Sequence, residues 1–248
     1  RSAENIFSEI DECGKKLGIK DFRFYDDNFT WHRETCMQTC EMLRNHSLNV
    51  SWNCFSRVDC IDEELLRAMK SAGCYQIKYG VETGSEKTLK LINKRITFDQ
   101  SRKAIALSKK VGVECQISMM IGLPGETEDD IEQTIRFAKE LSPDLILFNV
   151  FKPIPGSLIY NKLMKEGSLL ECRWEDFLVK SPVKVMKDSL DEQTIARYMK
   201  KAYTEFYFRP AYFVQRLKWL FKAPVREMRR YIAAAGIFSR SVTAGKSK

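Results

Sequence analysis

Histidine is scarce in this chain: His32 and His46 are the only two in 248 residues. Neither pairs with a nearby Ser or Cys in a nucleophile motif, and there is no HExxH, so both read as surface or helix residues. No apolar run approaches the roughly 18 residues that a spanning helix requires. No secretory signal opens the sequence. Its first residue is Arg1, which implies either processing or missing upstream sequence. Eight cysteines are present but scattered (Cys13, Cys36, Cys40, Cys54, Cys60, Cys74, Cys115, Cys172), with no pair of CxxC knuckles to suggest a structural zinc site. Cys36 and Cys40, spaced i, i+4, read as one face of a helix. A chain of this size without a signal peptide is expected to keep its thiols reduced, in a cytoplasmic setting. Wholesale disorder is excluded, because 44% of residues are hydrophobic. The length admits one large domain or two small ones.

The net charge of +8 is uneven. From Arg209 onward ten Lys and Arg face one acid, Glu227, a local balance of +9 that leaves about −1 for the rest. A neutral body with a basic tail gives little support to nucleic-acid binding. In the tail, Phe213, Leu217, Leu220, Val225, Met228 and Ile232 approximate an apolar stripe, with Arg216, Lys218, Lys222, Arg226, Arg229 and Arg230 around it. Such a helix suits either an anionic membrane surface or packing on protein.

Before the tail, short strand-like runs alternate with helical ones. The strands are expected at Phe22–Tyr25, Val50–Phe55, Tyr75–Val81, Cys115–Ile121 and Leu145–Phe151, and the helices near 31–46, 62–72, 98–111 and 127–141. Thr97 and Asp99 precede one helix. Thr127 precedes another, with Glu128, Asp129 and Asp130 in its first turn. Five β–α units imply parallel strands with helical crossovers, and ligands at the strands' C-terminal ends. Ser2 caps an opening helix through Ile6, Ile10 and Leu17. In a β–α order that helix should follow a strand, so one strand is expected upstream. The chain divides as a barrel at 1–157, an irregular connection at 158–189 and a helical basic extension at 190–248. Within the extension, helices are expected near 190–208 and 211–222, with a third opened by Pro224.

Polar residues gather at the strand ends. Asp26, Asp27 and Asn28 suit an ammonium group or a metal, or equally a helix cap and turn. Asn53, Ser56 and Arg57 end the second strand, where Arg57 could grip a carboxylate or form an ion pair. Glu82, in Tyr79-Gly-Val-Glu-Thr-Gly84, could accept from ribose hydroxyls or simply turn the chain. Ile121-Gly-Leu-Pro-Gly-Glu126 lacks the P-loop Lys and suits a flat heterocycle, or a tight β–α turn.

Taken together, Phe24-Tyr-Asp-Asp-Asn-Phe29, Trp52-Asn-Cys-Phe-Ser-Arg57, Ala72-Gly-Cys74, Tyr79-Gly-Val-Glu-Thr-Gly-Ser85, Ile121-Gly-Leu-Pro-Gly-Glu126 and Pro153-Ile-Pro-Gly-Ser157 resemble the radical S-adenosylmethionine (SAM) superfamily. The likeness spans about residues 1–180. It is nearest to the cobalamin-binding branch that includes anaerobic Mg-protoporphyrin ester cyclase-like enzymes and C-methyltransferases. It implies an α/β fold: a partial (β/α) barrel, here without its first strand, plus the helical extension. It implies SAM bound to a 4Fe–4S cluster and cleaved to a 5′-deoxyadenosyl radical for methylation, cyclisation or rearrangement. By position, Asp26, Asp27 and Asn28 would lie near the methionine amino group, Ser56 and Arg57 near the carboxylate, and Glu82 at the ribose or methionine. Ile121, Gly122, Asn149 and Phe151 would flank the adenine. It also implies an electron donor such as flavodoxin or ferredoxin, and a small-molecule substrate, lipid-like or tetrapyrrole.

The family's CxxxCxxC is absent. A chain cut just past that motif is the expectation, with cluster loop and cobalamin domain upstream, and it would be inactive alone. The alternatives are a cluster-free SAM- or nucleotide-binding module, and a barrel enzyme using Asp26, Asp27 and Glu82 with a divalent metal.

Overall fold

The computed structural model describes residues 1–171, 173–177, 185–187 and 189–222. It opens with α1 (Ala3–Leu17), whose N-cap Ser2 accepts from the Asn5 amide, as the sequence predicts. Five strands follow: β1 (Asp21–Arg23), β2 (Ser51–Ser56), β3 (Cys74–Glu82), β4 (Glu114–Ile121) and β5 (Leu145–Val150). All neighbours pair in parallel, in the order β1-β2-β3-β4-β5. The crossovers carry α2 (Arg33–Arg44), α3 (Glu63–Ser71), α4 (Glu86–Leu91), α5 (Phe98–Val111) and α6 (Glu128–Leu141).

Sequential order with right-handed crossovers puts every crossover helix on one face of the sheet. The strands alternate accordingly. Cys54, Ile77, Tyr79, Ile117 and Met119 are buried toward the helices, while Phe55, Lys78, Ser118 and Asn149 on the other face stay partly open. The sheet is therefore a curled half-barrel with one face packed and one face concave.

Helix starts are strongly specified. Thr97 and Thr127 each form a reciprocal capping box, with Gln100 and Asp130. The Cys36 and Cys40 pair on α2 is fully buried and gathers with Cys54 and Cys74. Contact with Cys40, followed by burial, raises the Cys36 thiol; burial raises Cys54. Cys36 and Cys54 therefore stay protonated and inert.

Two helices depart from the sequence expectation. The six-residue α4 is too short to show a period. The stretch 158–189, expected to be irregular, contains α7 (Leu158–Lys165) and a 3-10 turn at Trp174–Phe177. Its helix is masked in the sequence because Leu158 and Met164 are exposed while only Leu163 is buried. Leu163 packs with Val185 and Met186, beside Phe151 and Phe177.

The chain forms two compact units, Arg1–Tyr203 and Thr204–Lys248. Helix α8 (Glu192–Tyr207) begins in the first. There its Tyr198 donates to Glu128 (2.8 Å), and Lys201 pairs with Glu132. The Tyr203 hydroxyl both accepts from the Phe148 amide and donates to the Phe148 carbonyl, each at 3.1 Å, capping the outer edge of β5. The second unit includes α9 (Pro210–Lys222), where the rings of Phe206, Tyr207 and Tyr212 pack together under Arg209. Of the tail's apolar stripe, Phe213 and Leu217 are exposed. Val225, Met228, Ile232 and the helix expected at Pro224 lie outside the described residues. Among the described residues no helix is long and apolar enough to cross a membrane.

Candidate functional site

The C-terminal strand tips bring residues from three crossovers into one hydrogen-bonded line. Asn28, in the loop after β1, accepts through Oδ1 from the Arg57 amide (3.3 Å) and from Thr30 Oγ1 (3.0 Å). Arg57, at the end of β2, donates through Nη2 to the Lys94 carbonyl (3.1 Å). Lys94 in turn sets its ammonium on Glu82 Oε1 at 2.8 Å. Asn28, Arg57 and Glu82, named separately in the sequence, thus form one network, with Lys94 as the residue that joins them.

Glu82 is held in an unusual conformation. Its φ is +74°, rare for a residue with a side chain, and it sits where the β3–β4 register shifts. The following Thr83 anchors it: its hydroxyl bonds Thr88 (2.6 Å) and Thr134 (3.1 Å) in the core. Gly80 leaves room for this pair beside it. A Cβ there would collide with the Glu82 carboxylate and lie 2.9 Å from Lys94 Nζ.

The other tip residues differ in availability. Asp26 and Asp27 are exposed and form no ion pair among the described residues. The Arg57 guanidinium is already held by both oxygens of Asp59, each at 2.9 Å; burial alone would raise the Asp59 carboxyl, but the guanidinium and the other hydrogen bonds together lower it. The ion-pair reading of Arg57 is therefore realised, and a ligand carboxylate must share or displace Asp59. Ser56 is buried on the helix-facing side, its hydroxyl 2.6 Å from that of Thr30.

At the β4 tip, Ile121 is buried and Gly122 turns the chain at φ +87°. Glu126 reaches back so that one oxygen accepts from the amides of Gly122 (2.6 Å) and Leu123 (3.1 Å). Its other oxygen is buried without a hydrogen-bond partner. Burial dominates and raises its pKa to about 7, although the two amides oppose this. Beside this turn, Asn149 donates to Ser118 (3.0 Å) and the Phe151 amide to the Ile121 carbonyl (2.8 Å). A groove of about 300 Å³ runs beside β1, between α1 and α2, and reaches Asp26 and Asn28.

The metal alternative finds Glu82 paired to an ammonium and Asp26 and Asp27 open to solvent. Among the described residues no group of three His, Cys, Asp or Glu side chains is placed to hold a metal ion. Among the described residues, then, the cysteines are not gathered as a 4Fe–4S cluster requires. What the tips offer a ligand is a pair of exposed carboxylates, an acid held at positive φ and a glycine turn, while Arg57 is occupied by Asp59.

The family model "Radical SAM superfamily" matches residues 1–138. This chain belongs to the radical SAM superfamily. It is 34% identical over 209 residues to an uncharacterized methyltransferase of Pyrococcus horikoshii, covering 84% of this chain and 45% of that protein. It is 26% identical over 214 residues to the anaerobic magnesium-protoporphyrin IX monomethyl ester cyclase of Rubrivivax gelatinosus, covering 86% of this chain and 38% of that one. The chain thus spans less than half the length of these relatives. In fold it matches the radical SAM methyltransferase TsrM of Kitasatospora setae, solved with cobalamin and a [4Fe-4S] cluster. That match has a TM-score of 0.62 at 15% identity, over 67% of this chain and 32% of that one. Coproporphyrinogen III oxidase of Escherichia coli, a radical SAM enzyme, matches with a TM-score of 0.56 at 14% identity, over 84% of this chain and 46% of that one. The partial radical SAM barrel expected from the sequence is the fold observed.

Lys94 is the site residue that sequence reasoning missed. Its signal is faint: it is one lysine in a polar loop, between Asn93 and Arg95, which both have positive φ.

Proposed function

We propose that these residues form the SAM cradle of a cobalamin-dependent radical SAM enzyme that methylates or cyclises a small molecule. The observation that carries this reading is the line Asn28–Arg57–Lys94–Glu82 across three adjacent strand tips. Bound at a 4Fe–4S cluster, SAM supplies a 5′-deoxyadenosyl radical. The chain's own work is to hold and aim that nucleotide. Asp26 and Asp27 take the ammonium. Glu82, steadied by Lys94, accepts from hydroxyls. The Gly122 turn, tied down by Glu126, offers backbone to the adenine with Asn149 and Phe151 alongside.

The ligands of the cluster, and the cobalamin domain, belong in this reading to sequence outside the 248 residues, as does the contact with an electron donor. The methyltransferase and cyclase names of the relatives support the reaction class.

Titration of this chain with S-adenosylhomocysteine tests the cradle. Glu82→Gln and Lys94→Met should each weaken binding about tenfold, or roughly 1.4 kcal/mol. Undetectable binding, or variants equal to the unaltered chain, would overturn the reading. A chain extended upstream to include CxxxCxxC, loaded without oxygen, should release 5′-deoxyadenosine. A cluster-free binding module, favoured by the missing three-cysteine set, would bind the nucleotide and never release it.

A further inference from the structure

The concave face carries a row that the cradle does not use. Arg23 on β1, Tyr25 just beyond it, Phe55 on β2 and Lys78 on β3 follow one another across three strands. Arg23 donates to the Tyr25 hydroxyl at 3.0 Å and lies 5.5 Å from that ring's centroid. The Tyr25 and Phe55 rings are 6.2 Å apart. Lys78 Nζ lies 5.0 Å over Phe55, its partner in register. Two aromatic rings are thus flanked by two cations.

Neither cation is neutralised: among the described residues no carboxylate pairs with Arg23 or Lys78. Burial, and then the charge of Arg23, lower the Lys78 pKa, so the like charges are held close enough to oppose one another. The rings partly compensate the two cations, but Lys78 is partly buried with no anion to answer it, which costs free energy until a ligand supplies one. Beside the row, Asn53, in register with Arg23, keeps a buried side-chain oxygen without a partner. Across the concave face, Leu147 is exposed and supplies an apolar wall.

Depth places the Lys78 end of the row away from the nucleotide, while the Tyr25 end adjoins Asp26. Lys78 precedes Glu82 by four residues on β3, about 13 Å at strand spacing. A molecule lying over the rings would sit below the strand tips, on the side where a bound nucleotide would meet its target.

We infer that Arg23, Tyr25, Phe55 and Lys78 form a substrate subsite for a planar molecule bearing an acidic group, a carboxylate or a phosphate. One ring stacks on its plane while the other, inclined by 48°, closes its side, and the guanidinium and ammonium take its charge. This deepens the proposed function by naming a substrate class, and in its reaction role it rests on that reading.

The test titrates the full 248-residue chain with 2-naphthoate, 2-naphthyl phosphate and the neutral 2-naphthamide, following ligand fluorescence. At least one acid should bind ten or more times tighter than the amide, and the tighter of the two identifies the anion. Lys78→Gln and Arg23→Gln should each remove about tenfold of that preference, while Lys78→Arg retains it. Circular dichroism confirms that each variant is folded. Equal binding of the acids and the amide by the unaltered chain overturns the subsite, as do folded Gln variants with an undiminished preference. S-adenosylhomocysteine is titrated in parallel. Its failure with the acid preference intact sinks the cradle and leaves the subsite standing; the converse sinks the subsite alone.

Discussion

Replacing Glu126 by Gln should flatten part of the pH dependence of stability. The carboxyl is buried, one oxygen accepts two amides and the other has no partner. Its pKa is raised from 4.5 to about 7. The folded state therefore holds a proton that the unfolded state releases between those values. Where the folded state binds more protons, stability falls as pH rises. The contribution is fully present below about pH 4.5 and is lost as pH climbs through about 7. A shift of this size corresponds to about 3 kcal/mol, an order-of-magnitude figure. Gln keeps an acceptor for both amides but buries an unanswered N–H₂, costing about 1–3 kcal/mol at every pH. The stability of the unaltered chain relative to the variant should hence fall by about 2.5 kcal/mol from pH 5 to pH 8, whatever its starting value. Urea denaturation midpoints across that range measure it, and other carboxylates cancel in the difference. Parallel curves for the two proteins would refute the argument.

Three further outcomes follow from the geometry. Tyr203→Phe removes the hydroxyl that serves both backbone groups of Phe148 and should cost about 1–2 kcal/mol, read as a lowered urea midpoint. Gly80→Ala drives a methyl into the Glu82–Lys94 pair, so S-adenosylhomocysteine affinity should fall at least tenfold while the chain stays folded by circular dichroism. Thr127→Ala deletes the capping box of α6 and should cost about 1 kcal/mol, with nucleotide binding unchanged at saturating ligand.

The parts of the molecule written in local sequence were readable without a structure. The five strands, the caps at Ser2, Thr97 and Thr127, and the turn at Gly122 each depend on neighbours within a few residues. So does the acid at Glu82, because a strand end flanked by glycine is a local pattern. What could not be read is what depends on distant partners. Lys94 meets Arg57 across 37 positions of sequence, and nothing near it distinguishes it from any loop lysine. The occupation of Arg57 by Asp59 was open as an ion pair but not nameable. The gathering of Cys54 and Cys74 with the α2 thiols depends on how α2 crosses the sheet. Helix α7 escaped because its burial rests on one leucine rather than a repeating stripe.

The Tyr203 cap makes the sheet unequal at its two margins. One boundary strand has its central peptide group answered by a phenol; the opposite one, β1, has no strand beyond it among the described residues. Propagating chains of stacked sheets need two receptive sides on every molecule. A strand adding at β5 must first displace that phenol, so addition at β1 is the less costly of the two.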